Sequence, residues 1–169
     1  MREIAVIVIL VFCCFLCCCN VANTYIDYSI VFDEFAGFGS KKNEDGGITI
    51  EIYSIIHGFK ELKDLCLEWN NNAFSNDYMD NQNKMGDCLR MYNDDYFINK
   101  DLIIVETCRW HFNPNPKIKN IYIKDSLLNI EISQKLKKVH TDEAVSFTFI
   151  IETNKNQTGD ISQIKIIEK

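Results

Sequence analysis

The sequence predicts an all-β fold, an antiparallel β-sandwich with room for one short helix. The first observation is the run 101–110, which is apolar on both faces of an extended chain. The second is a series of short stretches in which apolar and polar residues alternate, the period of a half-buried strand. The third is the composition of the joins between them, where glycine, asparagine and aspartate are the commonest residues.

The run 101–110 is predicted to be the central strand of the domain. Leu102 to Val105 are four consecutive apolar residues, and a strand points such residues alternately to its two faces. Pro114 and Pro116 bound the run, because a proline cannot donate a hydrogen bond to a neighbouring strand. A strand that is apolar on both faces is typical of a sheet covered on both sides.

Seven other segments are predicted as strands: 28–35, 48–55, 88–92, 118–124, 127–132, 144–152 and 161–167. The pair 118–124 and 127–132 also fits one strand kinked at Asp125. Segment 59–69 fits both a helical face and a strand, and its local pattern favours a short helix. Residues 36–47 and 70–86 are predicted as surface loops from their glycine, asparagine and aspartate content.

Residues 1–22 are predicted to be a secretory signal peptide, which leaves 23–169 as a single domain. After the short start Met1-Arg-Glu3, the sixteen residues from Ile4 to Cys19 are all hydrophobic or cysteine, and cleavage is expected near Ala22. A membrane anchor is the alternative, but a bilayer span needs about 20 apolar residues. We therefore expect a secreted, extracellular protein.

Composition and motifs argue against several classes of function. The net charge is −6 and no basic stripe is present, which argues against a nucleic acid partner and gives no support for contact with membrane phospholipid. His57, His111 and His140 lie in unrelated contexts, and no zinc spacing, phosphate-binding glycine loop or nucleophile elbow occurs. The sequence therefore predicts a protein that is not an enzyme, with no catalytic residue, metal site or cofactor.

The cysteines and one sequon carry the remaining local predictions. Five of the eight cysteines lie in the leader, where they would form a palmitoylation cluster only if that segment were retained. Cys66, Cys88 and Cys108 remain, and three cysteines in an oxidising compartment allow one disulfide and one odd thiol. The sequon Asn156-Gln-Thr158 predicts a surface turn with a glycan on Asn156.

Several motifs follow one another in an order that carries a family resemblance: Tyr28-Ser-Ile-Val-Phe-Asp-Glu-Phe35, a glycine-bearing loop, Leu65-Cys-Leu-Glu-Trp69, Cys88, Ile103-Ile-Val-Glu106 and Val145-Ser-Phe-Thr-Phe-Ile-Ile151. In this order they resemble the N-terminal module of Notch ligands, the Delta/Serrate/Lag-2 group. The resemblance implies a C2-like β-sandwich that binds a Notch-type or other cell-surface receptor. It assigns no receptor-contact residue, because the contact loops of that family do not align with this chain.

The same resemblance implies a disulfide and a conformation. Cys66 and Cys88 fall where the paired cysteines of the family lie, and closing the loop between them would stabilise the fold by about 3 kcal/mol. Cys108, within the central strand, would then be the free thiol. The resemblance also shifts segment 59–69 from helix toward strand.

The functional expectation is a secreted modulator of Notch-type signalling between cells. In the family, the strand that corresponds to the motif ending at Ile151 leads into the receptor-binding domain. This chain has Thr153 at that point, so the resemblance does not imply an activating ligand. The alternative from another class is a secreted carrier of a small molecule or lipid, which would use the sandwich interior or its apex loops.

Overall fold

The strands of the chain form two four-stranded sheets and one small hairpin. The computed structural model describes residues 22–45, 47–79, 83–109, 116–133, 145–159 and 161–169. The strands within these residues are β1 (Thr24–Tyr25), β2 (Tyr28–Glu34), β3 (Lys41–Lys42), β4 (Ile48–Thr49), β5 (Ile52–Ile56), β6 (Lys100–Arg109), β7 (Lys117–Lys124), β8 (Leu127–Ser133), β9 (Val145–Asn154) and β10 (Ile164–Glu168). The helices are α1 (Phe59–Glu68), α2 (Lys84–Arg90) and α3 (Lys155–Thr158), with 3-10 helices at Asn72–Phe74 and Tyr96–Ile98.

The two large sheets stack as a sandwich. The outer sheet has the strand order β1-β7-β8-β10, and the central sheet has the order β2-β9-β6-β5. Neighbouring strands are antiparallel except β8 and β10, which pair in parallel, while β3 and β4 form the separate hairpin. The predicted antiparallel β-sandwich is confirmed.

The central sheet is buried on both faces. On one face, Ile103 and Val105 of β6 join Phe149 of β9 and Ile130 of β8 in the core between the sheets. On the other face, Leu102 and Ile104 belong to a second core with residues of α1, α2 and the 3-10 helices, which we call the helical layer. Leu102 to Val105 are fully buried and β6 lies between β9 and β5, so the predicted central strand is confirmed.

Segment 59–69 is a helix, as its local pattern predicted, and the strand implied by the family resemblance is wrong here. Leu62, Cys66 and Trp69 are buried at helical spacing on the face of α1 that packs on the central sheet. Glu61 supports the first turn, because its carboxylate accepts a hydrogen bond of 2.7 Å from the His57 amide.

Two further predictions on the helical layer are wrong. Residues 88–92, predicted as a strand, lie in α2 and the turn after it, and the predicted loop 70–86 contains a 3-10 helix and the start of α2. The side chains of Asn71 and Asn83 accept hydrogen bonds of 2.9 Å from the amides of Ala73 and Met85, respectively. These asparagines therefore begin helical turns, although their composition suggested a surface loop.

The remaining strand predictions differ mainly at their ends. Segments 118–124 and 127–132 are two strands, joined by a turn in which Asp125 and Ser126 have φ of 53° and 60°, as a tight two-residue hairpin requires. Segment 48–55 is divided between β4 and β5, which belong to different sheets. Segments 28–35, 144–152 and 161–167 contain β2, most of β9 and most of β10.

Candidate functional site

The outer edge of β2 is the candidate interaction site. β2 pairs with β9 from Tyr28 opposite Thr153 to Glu34 opposite Thr148. Among the residues that the structure describes, no strand pairs with the opposite side of β2. An edge strand of this kind presents backbone N–H and C=O groups that another strand can pair with. We refer to Tyr28–Glu34 as the β2 edge.

Two adjoining aliphatic side chains lie exposed on the β2 edge. Ile30 is 38% exposed and Val31 is 41% exposed, whereas Phe32 is 7% exposed and belongs to the core shared with the helical layer. The pairing with β9 shifts between Ile30 and Phe32, which leaves Val31 as an extra residue opposite no partner. The bulge explains why Phe32 is buried while Ile30, two residues earlier in the same alternating segment, is exposed.

The β2 edge is fixed at both ends by contacts with β9. At the start of the strand, the hydroxyl of Thr153 donates a hydrogen bond of 2.9 Å to the carbonyl of Asp27. Just beyond its end, the hydroxyl of Thr148 donates one of 2.6 Å to the carbonyl of Ala36. An incoming strand would therefore meet a preformed edge and would not have to order it.

The outer sheet has differently protected edges. β1 covers part of β7, and the uncovered part of β7 carries the exposed lysines Lys117 and Lys119. β10 carries the exposed Lys165 and lies beside β5, the second edge of the central sheet. Lysines on an edge oppose strand addition, so the β2 edge, with its exposed aliphatic pair, is the better site for it.

The chain after β2 is held by a buried carboxylate. Glu106 of β6 is fully buried, and its carboxylate accepts a hydrogen bond of 2.9 Å from the amide of Phe38. Burial raises the pKa of Glu106, against the opposite effect of hydrogen bonds from Ser146 and from the amides of Phe38 and Gly39. Sequence reasoning named Glu106 only as the last residue of the motif Ile103-Ile-Val-Glu106 and gave it no role, because nothing in that pattern indicates that its carboxylate is buried.

Glu106→Gln is expected to gain stability relative to the natural protein as the pH rises. Because the pKa of Glu106 is higher in the folded state, its contribution is fully present below the unfolded value near 4.5 and is lost as the pH rises through the folded pKa. Glutamine keeps an acceptor for the Phe38 amide without the charge. Urea denaturation of both proteins at pH 4 and pH 8 measures their free energies of unfolding. The account would be contradicted if the free energy of Glu106→Gln minus that of the natural protein did not increase from pH 4 to pH 8.

The predicted Cys66–Cys88 disulfide is not formed in the structure, where Cys66, Cys88 and Cys108 are free thiols. Cys66 lies on the buried face of α1, and Cys88 lies on α2 beside the same core. Burial raises the pKa of Cys66 to about 12 and also raises that of Cys88. Each thiol packs against this core as a small apolar side chain, from a different helix, and not as half of a disulfide.

Native-state alkylation should distinguish Cys66 from Cys108. At pH 8 we expect iodoacetamide to modify Cys66 at least 100-fold more slowly than it does in denaturant, because a thiol with a pKa of about 12 supplies almost no thiolate. Cys108, which is only partly buried, should react faster. Mass spectrometry of the peptides measures both rates. If labelling in denaturant requires prior reduction, the disulfide exists after all.

The sequon, predicted to lie in a surface turn, lies in the short helix α3, and its two functional residues have opposite environments. Asn156 is exposed on α3, whereas Thr158 is buried and its hydroxyl donates a hydrogen bond to the carboxylate of Asp101. Asp101 is also buried, and its other oxygen lies 3.0 Å from Nδ1 of His57. This network joins α3, β6 and the end of β5. Glycosylation of Asn156 itself stays a prediction.

The described residues form open clefts and hold no metal-ligating cluster. Three clefts of about 490, 520 and 500 Å³ are open to solvent, at the β7–β8 turn, beside Lys155 and between α1 and the first 3-10 helix. Within the described ranges no three metal-ligating side chains come together. No helix in that part of the chain is both long and apolar enough to cross a bilayer.

Comparison with protein-family models, with curated proteins and with solved structures found no match to this chain. The resemblance to the Notch-ligand module stays a prediction.

Proposed function

We propose that the protein is secreted and acts by binding another protein, with the β2 edge as its contact strand. The observation that carries this proposal is the exposure of Ile30 and Val31 on a strand whose outer edge pairs with no other strand among the described residues and whose two ends are fixed. Strand addition to a sheet edge is a common way of recognising an extended segment, because backbone hydrogen bonds give affinity and side-chain contacts give specificity.

The partner segment would be short, apolar at its centre and basic at one end. The bulge at Val31 interrupts the regular hydrogen-bonding pattern, so a straight strand can pair with only a few residues on each side of it. Covering the exposed parts of Ile30 and Val31 would contribute about 25 cal/mol for each Å² of apolar surface. Asp33 gives that end of the edge a negative charge, which a lysine or arginine of the partner would complement, whereas the Glu34 carboxylate is already paired with Lys84 at 2.8 Å.

The partner is a Notch-type or other cell-surface receptor, with this protein as a modulator of its signalling. The resemblance of the motifs to the Notch-ligand module supports this choice. A carrier function has less support, since the facing residues of the two sheets, such as Ile130 and Phe149, are fully buried against one another and fill the sandwich interior.

A binding assay with matched variants tests the proposal. Val31→Lys places a charge on the β2 edge, and Leu67→Lys places the same charge on α1, at a side chain that is 80% exposed. We expect Val31→Lys to weaken binding to the immobilised receptor ectodomain at least 10-fold and Leu67→Lys to leave it unchanged. Equal affinities for all three proteins would reject the β2 edge. Failure of every Notch-type ectodomain to bind would reject the receptor assignment.

N-terminal sequencing of exported protein tests the secretory part of the proposal. Cleavage is expected between Cys19 and Thr24, at or near Ala22. A mature protein that retains Cys17 to Cys19 would contradict it and would support a lipid anchor instead.

A further inference from the structure

In the folded protein one of the two polar side chains of the sequon, that of Thr158, is buried. Asn156, Gln157 and Thr158 lie within the helical turn α3, and Thr158 is 1% exposed although Asn156 projects into solvent. The Thr158 hydroxyl donates to one oxygen of the buried Asp101 carboxylate. Both groups are buried and would lose their partner away from water if this hydrogen bond broke, so the hydroxyl is not readily released to another acceptor.

Other contacts hold α3 against the body of the protein. The backbone amide of Lys155 donates a hydrogen bond of 3.0 Å to the carbonyl of Asn99. Its amino group donates to the carbonyl oxygens of Phe97 and His57, at 2.8 and 3.1 Å. The sequon is therefore fixed at its start by Lys155 and at its end by Thr158.

Glycosylation of a sequon requires both of its polar side chains. The Nδ2 atom of the asparagine attacks the anomeric carbon of a sugar carried on a lipid pyrophosphate. The new C–N bond forms as the C–O bond to the pyrophosphate breaks, and the amide loses one proton to a base. The sequon Asn-x-Ser/Thr shows that the transferase also requires the hydroxyl two residues after the asparagine. In the folded protein Asn156 is accessible, but Thr158 is occupied by Asp101.

We propose that folding and glycosylation compete at this site, so that Asn156 is a substrate only before Thr158 docks on Asp101. A glycan attached at that earlier stage is compatible with the fold, because the Asn156 side chain is exposed and Thr158 can still close on Asp101. Once α3 has formed, an unmodified chain stays unmodified. The fraction of protein that carries the glycan is then set by the rate at which α3 forms and Thr158 docks on Asp101.

Glycosylation with purified components tests the proposal directly. The purified, folded and unglycosylated chain is incubated with an oligosaccharyltransferase and its lipid-pyrophosphate-linked donor, beside a synthetic peptide of residues 152–162 that has the open sequon. We expect the peptide to be modified at least 10-fold faster than the folded chain. Equal rates for the two would overturn the proposal, and so would a peptide that is not modified at all.

Two variants locate the cause of the difference. Asp101→Asn weakens the docking of Thr158, and Lys155→Ala removes two hydrogen bonds of α3 from an exposed position where loss of the whole fold is not expected. Both leave the sequon intact, and a folded variant should be modified severalfold faster than the natural chain. Leu67→Lys, remote from α3 in sequence and exposed on α1, is the control for an unspecific effect. Unchanged rates in Lys155→Ala, with its fold retained by circular dichroism, would overturn the proposal.

Discussion

Ile104→Asp is expected to lower the free energy of unfolding by more than about 3 kcal/mol. Ile104 is fully buried in β6, where it pairs with Ser54 of β5 and Ile150 of β9 and belongs to the core shared with the helical layer. A carboxylate at this position would be removed from water without a cationic partner. Urea denaturation followed by circular dichroism measures the loss, or shows that the variant does not fold.

Ile98→Asp is the matched control, because Ile98 lies 66% exposed on the second 3-10 helix. We expect that variant to stay within about 0.5 kcal/mol of the natural protein. If Ile104→Asp cost no more than Ile98→Asp, β6 would not be the two-sided centre of the fold.

Gly39→Ala is the second substitution for which a large effect is expected, about 3 kcal/mol. A Cβ atom at Gly39 would lie 2.1 Å from the carbonyl oxygen of Trp69, a distance at which one of the two backbones must move. The Trp69 oxygen is fixed because it accepts a hydrogen bond of 2.8 Å from the Ser40 amide. The loop that carries Gly39 is fixed as well, because the side chain of Asn71 donates a hydrogen bond to the carbonyl of Phe38. Overpacking against a backbone that cannot yield costs roughly 1–3 kcal/mol or more.

Gly58→Ala provides the comparison, since no atom lies within 4 Å of the Cβ that it would add. We expect Gly58→Ala to lower the free energy of unfolding by no more than about 1 kcal/mol, because alanine is a weaker N-cap than glycine and Gly58 is the N-cap of α1. Thermal unfolding of both variants measures the difference. A Gly39→Ala protein as stable as Gly58→Ala would show that the contact between the loop and Trp69 is not tight.

The strands that sequence reasoning located well are those whose burial repeats regularly. Leu102 to Val105 predicted a strand covered on both faces, and that is the environment of β6. Asp125 and Ser126 marked the β7–β8 turn because few other residues interrupt the apolar pattern there. In these places local composition and tertiary burial point to the same structure.

The helical layer was harder to predict because its short elements are stabilised by tertiary contacts. Asn71 and Asn83 raise the polar content of segment 70–86, although each accepts a hydrogen bond that begins a helical turn. Met85 and Leu89 are buried because α2 packs against the apolar face of the central sheet. α2 has seven residues, which are too few for a stable isolated helix and too few to show a clear helical repeat in the sequence.

The candidate site depends on features that no local pattern contains. The alternation of Tyr28, Ile30 and Phe32 predicted one apolar face, but the bulge at Val31 changes which side chains are exposed. Whether a strand lies at an edge is decided by the other strands of the sheet. The hydrogen bond between Thr158 and Asp101 likewise joins residues 57 positions apart, so the sequon alone could predict only a surface turn.

The pairing of β2 with β9 also determines when the protein can complete its fold. Asp27 and Thr153, which hydrogen-bond to each other, are 126 positions apart in the chain. During synthesis β2 leaves the ribosome long before β9 and stays without that partner while most of the domain is made, exposing apolar surface that can aggregate. Contacts of such long sequence separation also slow the search for the native state, so we expect refolding in milliseconds to seconds, with the closure of β2 on β9 as a late event.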